Sequence, residues 1–254
     1  MPKENRAVSS LTPPAMRAGG LRFLHISHCT FAVSDGRSLL LIDPFFSGKF
    51  YWAGNTERHL DRPTLRLASI HHCDAVLISH EHGDHYDPDT LRVLLKQTSA
   101  VIYAPRFVIA DATKRGLDAV RFREARPLRS FRVGAMKVTP FPSAGSEKAR
   151  PVDRVGFLIE LGGRRFYHQG DSHSYSPTWL KFRGKVDKLV MWPHRVSEVV
   201  GAIQPRMVVF HHLDRFRPGH FHCNRSAKLE LRYWGHYHRR TRFLVPKRNT
   251  WYAV

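Results

Sequence analysis

The stretch Leu77-Ile78-Ser79-His80-Glu81-His82-Gly83-Asp84-His85-Tyr86-Asp87 limits this chain more than any other. Three histidines and an aspartate fall within six residues, directly after the apolar run Ala75-Val76-Leu77-Ile78. A short buried strand that opens into such a loop delivers several imidazoles and a carboxylate to one point. Imidazole is the commonest neutral ligand for zinc-like ions, and a carboxylate adds compensating charge. Gly83 removes side-chain bulk where the chain has to turn. The chain holds 17 histidines, so chance pairs are expected. Spacing of this kind directly after a strand points instead to metal binding.

His80-Glu81-His82-Gly83-Asp84-His85 reads as H-x-H-x-D-H. It resembles the signature of the metallo-β-lactamase fold superfamily. The resemblance implies an α/β fold, a four-layer αββα sandwich over residues 21–254. Residues 1–20, with Ser9-Ser10, Thr12-Pro13-Pro14 and Gly19-Gly20, read as a mobile N-terminal arm. The element rhythm agrees with an α/β layer: hairpins turn at Asp35-Gly36 and Gly162-Gly163, and helices are predicted over 88–95, 107–117, 197–203 and 226–238. Residues 48–67 read as a longer irregular segment carrying Phe50, Tyr51 and Trp52.

Further stretches carry the same resemblance. His28-Cys29-Thr30-Phe31 and Leu41-Ile42-Asp43-Pro44 are similar to the opening of the branch that includes ascorbate-6-phosphate lactonase and the N-acyl-phosphatidylethanolamine phospholipase D. That branch implies that Asp43 sits behind the metal site and orients a ligand histidine, with His28 also behind the ligands. Gln169-Gly170-Asp171 matches the superfamily's Gly-Asp motif, whose carboxylate bridges two metals. Met207-Val208-Val209-Phe210-His211-His212 resembles the strand that supplies the last ligand. Matching it residue by residue gives His212, and the adjacent His211 leaves the assignment open by one position.

The pattern breaks once. A histidine is expected after the strand Met136-Lys137-Val138-Thr139-Pro140-Phe141-Pro142, where the chain reads Ser143-Ala144-Gly145-Ser146-Glu147. By the resemblance, His80 and His82 bind one ion and have lost their third protein ligand. Asp84, His85 and His212 bind the other, with Asp171 between. Glu147, His173 and His194 are the candidates for a stand-in ligand or proton donor. The expected cofactor is one or two divalent ions, zinc first, with manganese and iron open, because mixed His/carboxylate donors do not choose among metals.

The expected activity is a metal-dependent hydrolase using metal-activated water, with Asp84 and Asp171 as catalytic carboxylates. The substrate is an ester, lactone or phosphodiester of an anionic small molecule or lipid. The net charge of +20 supports that choice. A nucleic-acid phosphodiesterase, a di-iron oxidoreductase and a non-catalytic relative stay open as alternatives, and nucleic acid stays open as a partner. Cys29, Cys73 and Cys223 are three and widely spaced, which fits a reducing cytoplasm. No leader peptide and no run of about 18 apolar residues is evident, so no transmembrane segment is expected. The sequence assigns no oligomeric state.

Overall fold

Strands β1 (Arg22–Ser27), β2 (Thr30–Ser34) and β3 (Leu39–Ile42) are buried at nearly every position. Both faces of their sheet must therefore be covered. The computed structural model describes residues 11–13, 16, 19–52, 54–143, 154–172, 176–217 and 226–254. In it these strands join β6 (Ala75–Leu77), β7 (Val101–Ala104), β8 (Phe122–Glu124) and β17 (Trp251–Ala253) in the order β17-β1-β2-β3-β6-β7-β8. A second sheet contains β9 (Phe131–Val133), β10 (Met136–Pro142), β11 (Val155–Leu161), β12 (Arg164–His168), β13 (Lys188–Met191), β14 (Met207–Phe210) and β16 (Arg242–Leu244). Its order is β16-β14-β13-β12-β11-β10-β9.

Alternation along the strands decides what lies between and outside the sheets. Phe23, Phe31, Leu40 and Ile42 share one buried cluster with Val138, Phe157, Ile159 and Phe166 of the other sheet. Their strand neighbours Leu24, Ala32, Leu39 and Leu41 point the other way. They pack with Leu91 and Leu94 of α1 (Pro88–Gln97) and Val108 and Ala112 of α2 (Arg106–Lys114). On the far side, Leu158, Tyr167, Leu189 and Phe210 meet Val196, Val199 and Ile203 of α3 (Val196–Ile203), with Trp234 of α4 (Ala227–Tyr237) partly buried beside them. The result is the αββα sandwich. Leu11 is buried in the first outer cluster, whereas residues 1–10 of the expected arm lie outside the described residues. No helix among the described residues is long and apolar enough to cross a membrane.

The two sheets repeat one pattern. From β17 to β8 the neighbours pair antiparallel three times and then parallel three times. From β9 to β16 they do the same. No internal repeat is visible in the amino-acid sequence. The duplication is one of topology.

Within residues 48–67, expected to be irregular, residues 49–52 and 55–59 form a hairpin. β4 (Lys49–Trp52) pairs with β5 (Asn55–His59), and β5 pairs in turn with β15 (Phe216–Arg217), in a small third sheet. Its Trp52 ring meets His82 edge-on, with centroids 5.0 Å apart. Phe50 accounts for Gly83, because a Cβ there would lie 2.8 Å from the Phe50 Cβ. The glycine is needed for close approach, not for a left-handed turn. Gly83→Ala is expected to destabilise the fold by about 1–3 kcal/mol through overpacking. Urea denaturation of the two proteins checks this.

Candidate metal centre

Four loops that follow parallel strands converge at one end of the sandwich, where open α/β sheets generally place their ligands. Asp43 follows β3, residues 79–85 follow β6, Asp171 follows β12, and His211 and His212 follow β14. The backbone bends sharply at three places around them. His28, Asp43 and His212 have φ of 48°, 45° and 57°. A left-handed conformation costs a non-glycine residue about 1–3 kcal/mol and persists where surrounding bonds impose it. The Asp43 N–H donates to Leu77 O at 2.9 Å, and the His28 N–H donates to Asp214 at 2.8 Å.

Asp84, His85, Asp171 and His212 form a buried tetrad. His85 Nε2 lies 3.2 Å from His212 Nε2, 3.6 Å from Asp84 Oδ2 and 3.3 Å from Asp171 Oδ2. His212 Nε2 lies 3.3 Å from Asp84 Oδ2 and 3.4 Å from Asp171 Oδ2. A tetrahedron with bonds of about 2.0–2.1 Å to N and O donors has edges of about 3.3–3.4 Å. The donor set thus fits a zinc-sized ion. Asp84 Oδ1, Asp171 Oδ1 and His80 Nε2 are also buried without a hydrogen-bond partner, an arrangement that a bound cation explains.

A second layer of contacts selects which ring nitrogens face inward. The Asp43 carboxylate accepts from the Ser79 N–H (2.7 Å), the Ser79 hydroxyl (2.6 Å) and His85 Nδ1 (2.8 Å). Having given its proton to Asp43, Ser79 Oγ accepts from His80 Nδ1 at 2.9 Å. One carboxylate therefore engages Nδ1 of both His85 and His80 and leaves Nε2 as the nitrogen that faces an ion. His28 Nε2 donates to Asp84 Oδ2 at 3.0 Å. Burial first, and then the charge of His212, push His28 down to about 3, so it donates as a neutral imidazole. The ring of His211 lies outside the tetrad, with its Nδ1 against His212 Nδ1 and its plane stacked on His168. With Nδ1 engaged by His211, Nε2 is the His212 nitrogen that faces the tetrad.

The charges reinforce one another. Burial alone would raise the Asp84 carboxyl, but the charge of His85 and hydrogen bonds from His212 and His28 outweigh it and hold it well below the usual range. Burial likewise lowers His212, yet the Asp171 charge and hydrogen bonds to Asp171 and Asp84 leave it raised. A proton held there in the ion-free chain is one that an ion displaces.

The first position is built differently. His80 and His82 come within reach of Asp171. The residue after β10 is Ser143, which is buried and donates its hydroxyl to Gln169 O. Across the hairpin from it stands Arg154, joined by Ser143 N–H to Arg154 O at 3.0 Å. Its Nη2 lies 2.9 Å from His82 Nε2 and 2.7 Å from Glu81 Oε1. Sequence reasoning passes over Arg154, because arginine is not a metal ligand. The available signal is a cation directly before the apolar strand Val155–Leu161. His194 belongs to neither donor group and packs on Trp192, whose ring faces His212. Glu147 and His173 lie outside the described residues.

A family model described as the beta-lactamase superfamily domain matches residues 39–232. The chain belongs to this superfamily. Among its relatives, a UPF0173 protein of Pyrococcus furiosus is 28% identical over 204 residues, covering 77% of this chain and 85% of the relative. A UPF0173 metal-dependent hydrolase of Thermus thermophilus is 25% identical over 210 residues, covering 76% and 84%. The fold is similar to that of Igni18, a metallo hydrolase from Ignicoccus hospitalis, with a TM-score of 0.69 over 92% of this chain and 98% of that one at 16% identity.

Within this superfamily member, Asp43→Asn is expected to weaken zinc binding by about 10–100-fold, the usual effect of removing a partner behind a ligand. His212→Ala is expected to abolish tight zinc binding, whereas His211→Ala retains it in weakened form. Calorimetric zinc titration checks all three. His168, whose Nδ1 accepts from the Gly170 N–H at 3.2 Å, is lowered to about 4, chiefly by burial. A depressed histidine withdraws stability as pH falls from about 6.5 towards its folded value, because the unfolded chain takes the proton first. The His168 ring is therefore expected to stay neutral at pH of about 5.5, as read by nitrogen-15 NMR.

Proposed function

We propose that this metal-dependent hydrolase of the β-lactamase superfamily acts on an ester, lactone or phosphodiester of an anionic small molecule, with its ion held by Asp84, His85, Asp171 and His212. The observation that carries the reading is the tetrad, whose five edges of 3.2–3.6 Å bring four donors within reach of one ion. The donor chemistry supports zinc and equally admits manganese or iron. When bound, such an ion supplies Lewis-acid polarisation and brings the pKa of a water to near neutrality.

The residues of the chain do the rest. Asp84 and Asp171 each keep one oxygen buried and without a partner. Each oxygen can accept a hydrogen bond from a water and orient it. Asp43, Ser79 and His28 hold the donors in register, so little reorganisation is needed at the moment of reaction. The net charge of +20 raises the local concentration of anions. That excess of positive charge supports an anionic substrate, and the guanidinium of Arg154, 2.9 Å from His82 and paired with Glu81, adds a hydrogen-bond donor beside the centre.

The test is hydrolysis of paired chromogenic esters, lactones and phosphodiesters, each in an anionic and a neutral version, by chelator-treated and zinc- or manganese-reloaded protein. Turnover is expected only after reloading. It should be faster for the anionic member of a pair and should lose that preference as salt is raised. Asp171→Ala is expected to lower kcat at least ~100-fold. A reloaded protein that hydrolyses no member of the panel rejects the reading. Equal turnover of anionic and neutral members rejects the substrate class alone.

A further inference from the structure

We propose that the guanidinium of Arg154 stands where a second ion would otherwise bind, so that the centre holds one metal ion and one fixed arginine cation. This rests on the metal-binding reading above and adds the number of ions and the identity of the group that replaces one.

Hydrogen-bond chemistry is the first support. Arginine only donates, so the 2.9 Å contact from its Nη2 makes His82 Nε2 the acceptor. That lone pair is then directed at a guanidinium and is unavailable to an ion. His82 carries its proton on Nδ1 and is a neutral partner to Arg154.

The placement is built in. Arg154 is buried, and its backbone is pinned on two sides. Its carbonyl accepts from Ser143, and the next residue, Val155, donates to Ser79 O in the metal loop at 2.9 Å. Glu81, inside the H-x-H motif, accepts from the same Nη2 at 2.7 Å. The cation thus arrives from the arm of the β10–β11 hairpin opposite the position where a histidine is missing.

Charge pairing agrees with one ion. Asp84 and Asp171 supply two negative charges to the tetrad, enough for one divalent cation, and Glu81 matches Arg154. A further divalent cation between His80 and His82 would meet a guanidinium in a low-dielectric setting, where like charges repel strongly. His80 Nε2 remains buried without a hydrogen-bond partner on that side, 3.9 Å from Asp171 Oδ2.

The experiment counts ions and watches His82 directly. Wild-type protein saturated with Zn²⁺ and desalted is expected to carry about one equivalent by elemental analysis. In a zinc titration followed by nitrogen-15 NMR of the imidazoles, the His85 and His212 rings should shift and the His82 ring should not. Ser143→His combined with Arg154→Ala, which restores the missing donor and removes the cation, should carry about two equivalents. Two equivalents in the wild type overturn the proposal, as does a His82 ring that shifts with those of His85 and His212. A folded double variant that still holds one ion also overturns it. No bound zinc in the wild type would overturn the underlying metal reading itself, a distinct result. The NMR measurement uses the unaltered chain, so it decides the matter even if the double variant fails to fold.

Discussion

The carboxylate of Asp43 governs the centre without belonging to it. It is fully buried, and it takes hydrogen bonds from Ser79 twice and from His85. Through the Ser79 hydroxyl it also sets His80. Two imidazoles therefore present the same ring nitrogen to the same space. A histidine with the other tautomer would point an N–H at an ion and repel it. A left-handed backbone at Asp43 aims the carboxylate this way, and the first sheet holds that strain in place through the bond to Leu77.

The centre also joins the two halves of the molecule. Asp84 and His85 come from the first sheet, and Asp171 and His212 come from the second. Neither half can close the tetrad alone. The interdigitated core around Phe23, Phe31, Phe157 and Phe166 fixes the spacing of the sheets, and through it the separation of the donors. A close-packed interior transmits small volume changes, so core packing and site geometry are coupled. The topological repeat explains the layout: each sheet runs three antiparallel neighbours into three parallel ones, so both deliver their loops at the same end.

Arg154 shows how a changed donor set remains physically consistent. Without a histidine after β10, the buried His80 and the half-buried His82 would face a void. A guanidinium beside His82 satisfies one of them, and Glu81 balances its charge. The small third sheet closes the same region from outside, with Trp52 against His82 and Phe50 filling the space left by Gly83.

Much is legible from local patterns. The cluster His80 to His85, the Gly-Asp at 170–171 and the helices α1 to α4 depend on short-range spacing and periodicity, which a chain displays in order. The αββα sandwich follows from the motif together with strands that are apolar on both faces. Other features depend on residues brought together from far apart in the chain. Nothing local marks Arg154 as the partner of His82, 72 residues away. The hairpin over residues 49–59 is polar on one side and reads as irregular, because its pairing with β15 lies far along the chain. The choice between His211 and His212 also needs the backbone, since a left-handed turn at residue 212 sends one ring into the tetrad and the other onto His168. The sequence by itself determined which chemical groups the centre can use. Only the tertiary structure decided which of them meet, because hydrogen bonds and charges act over a few ångströms and the fold alone sets those distances.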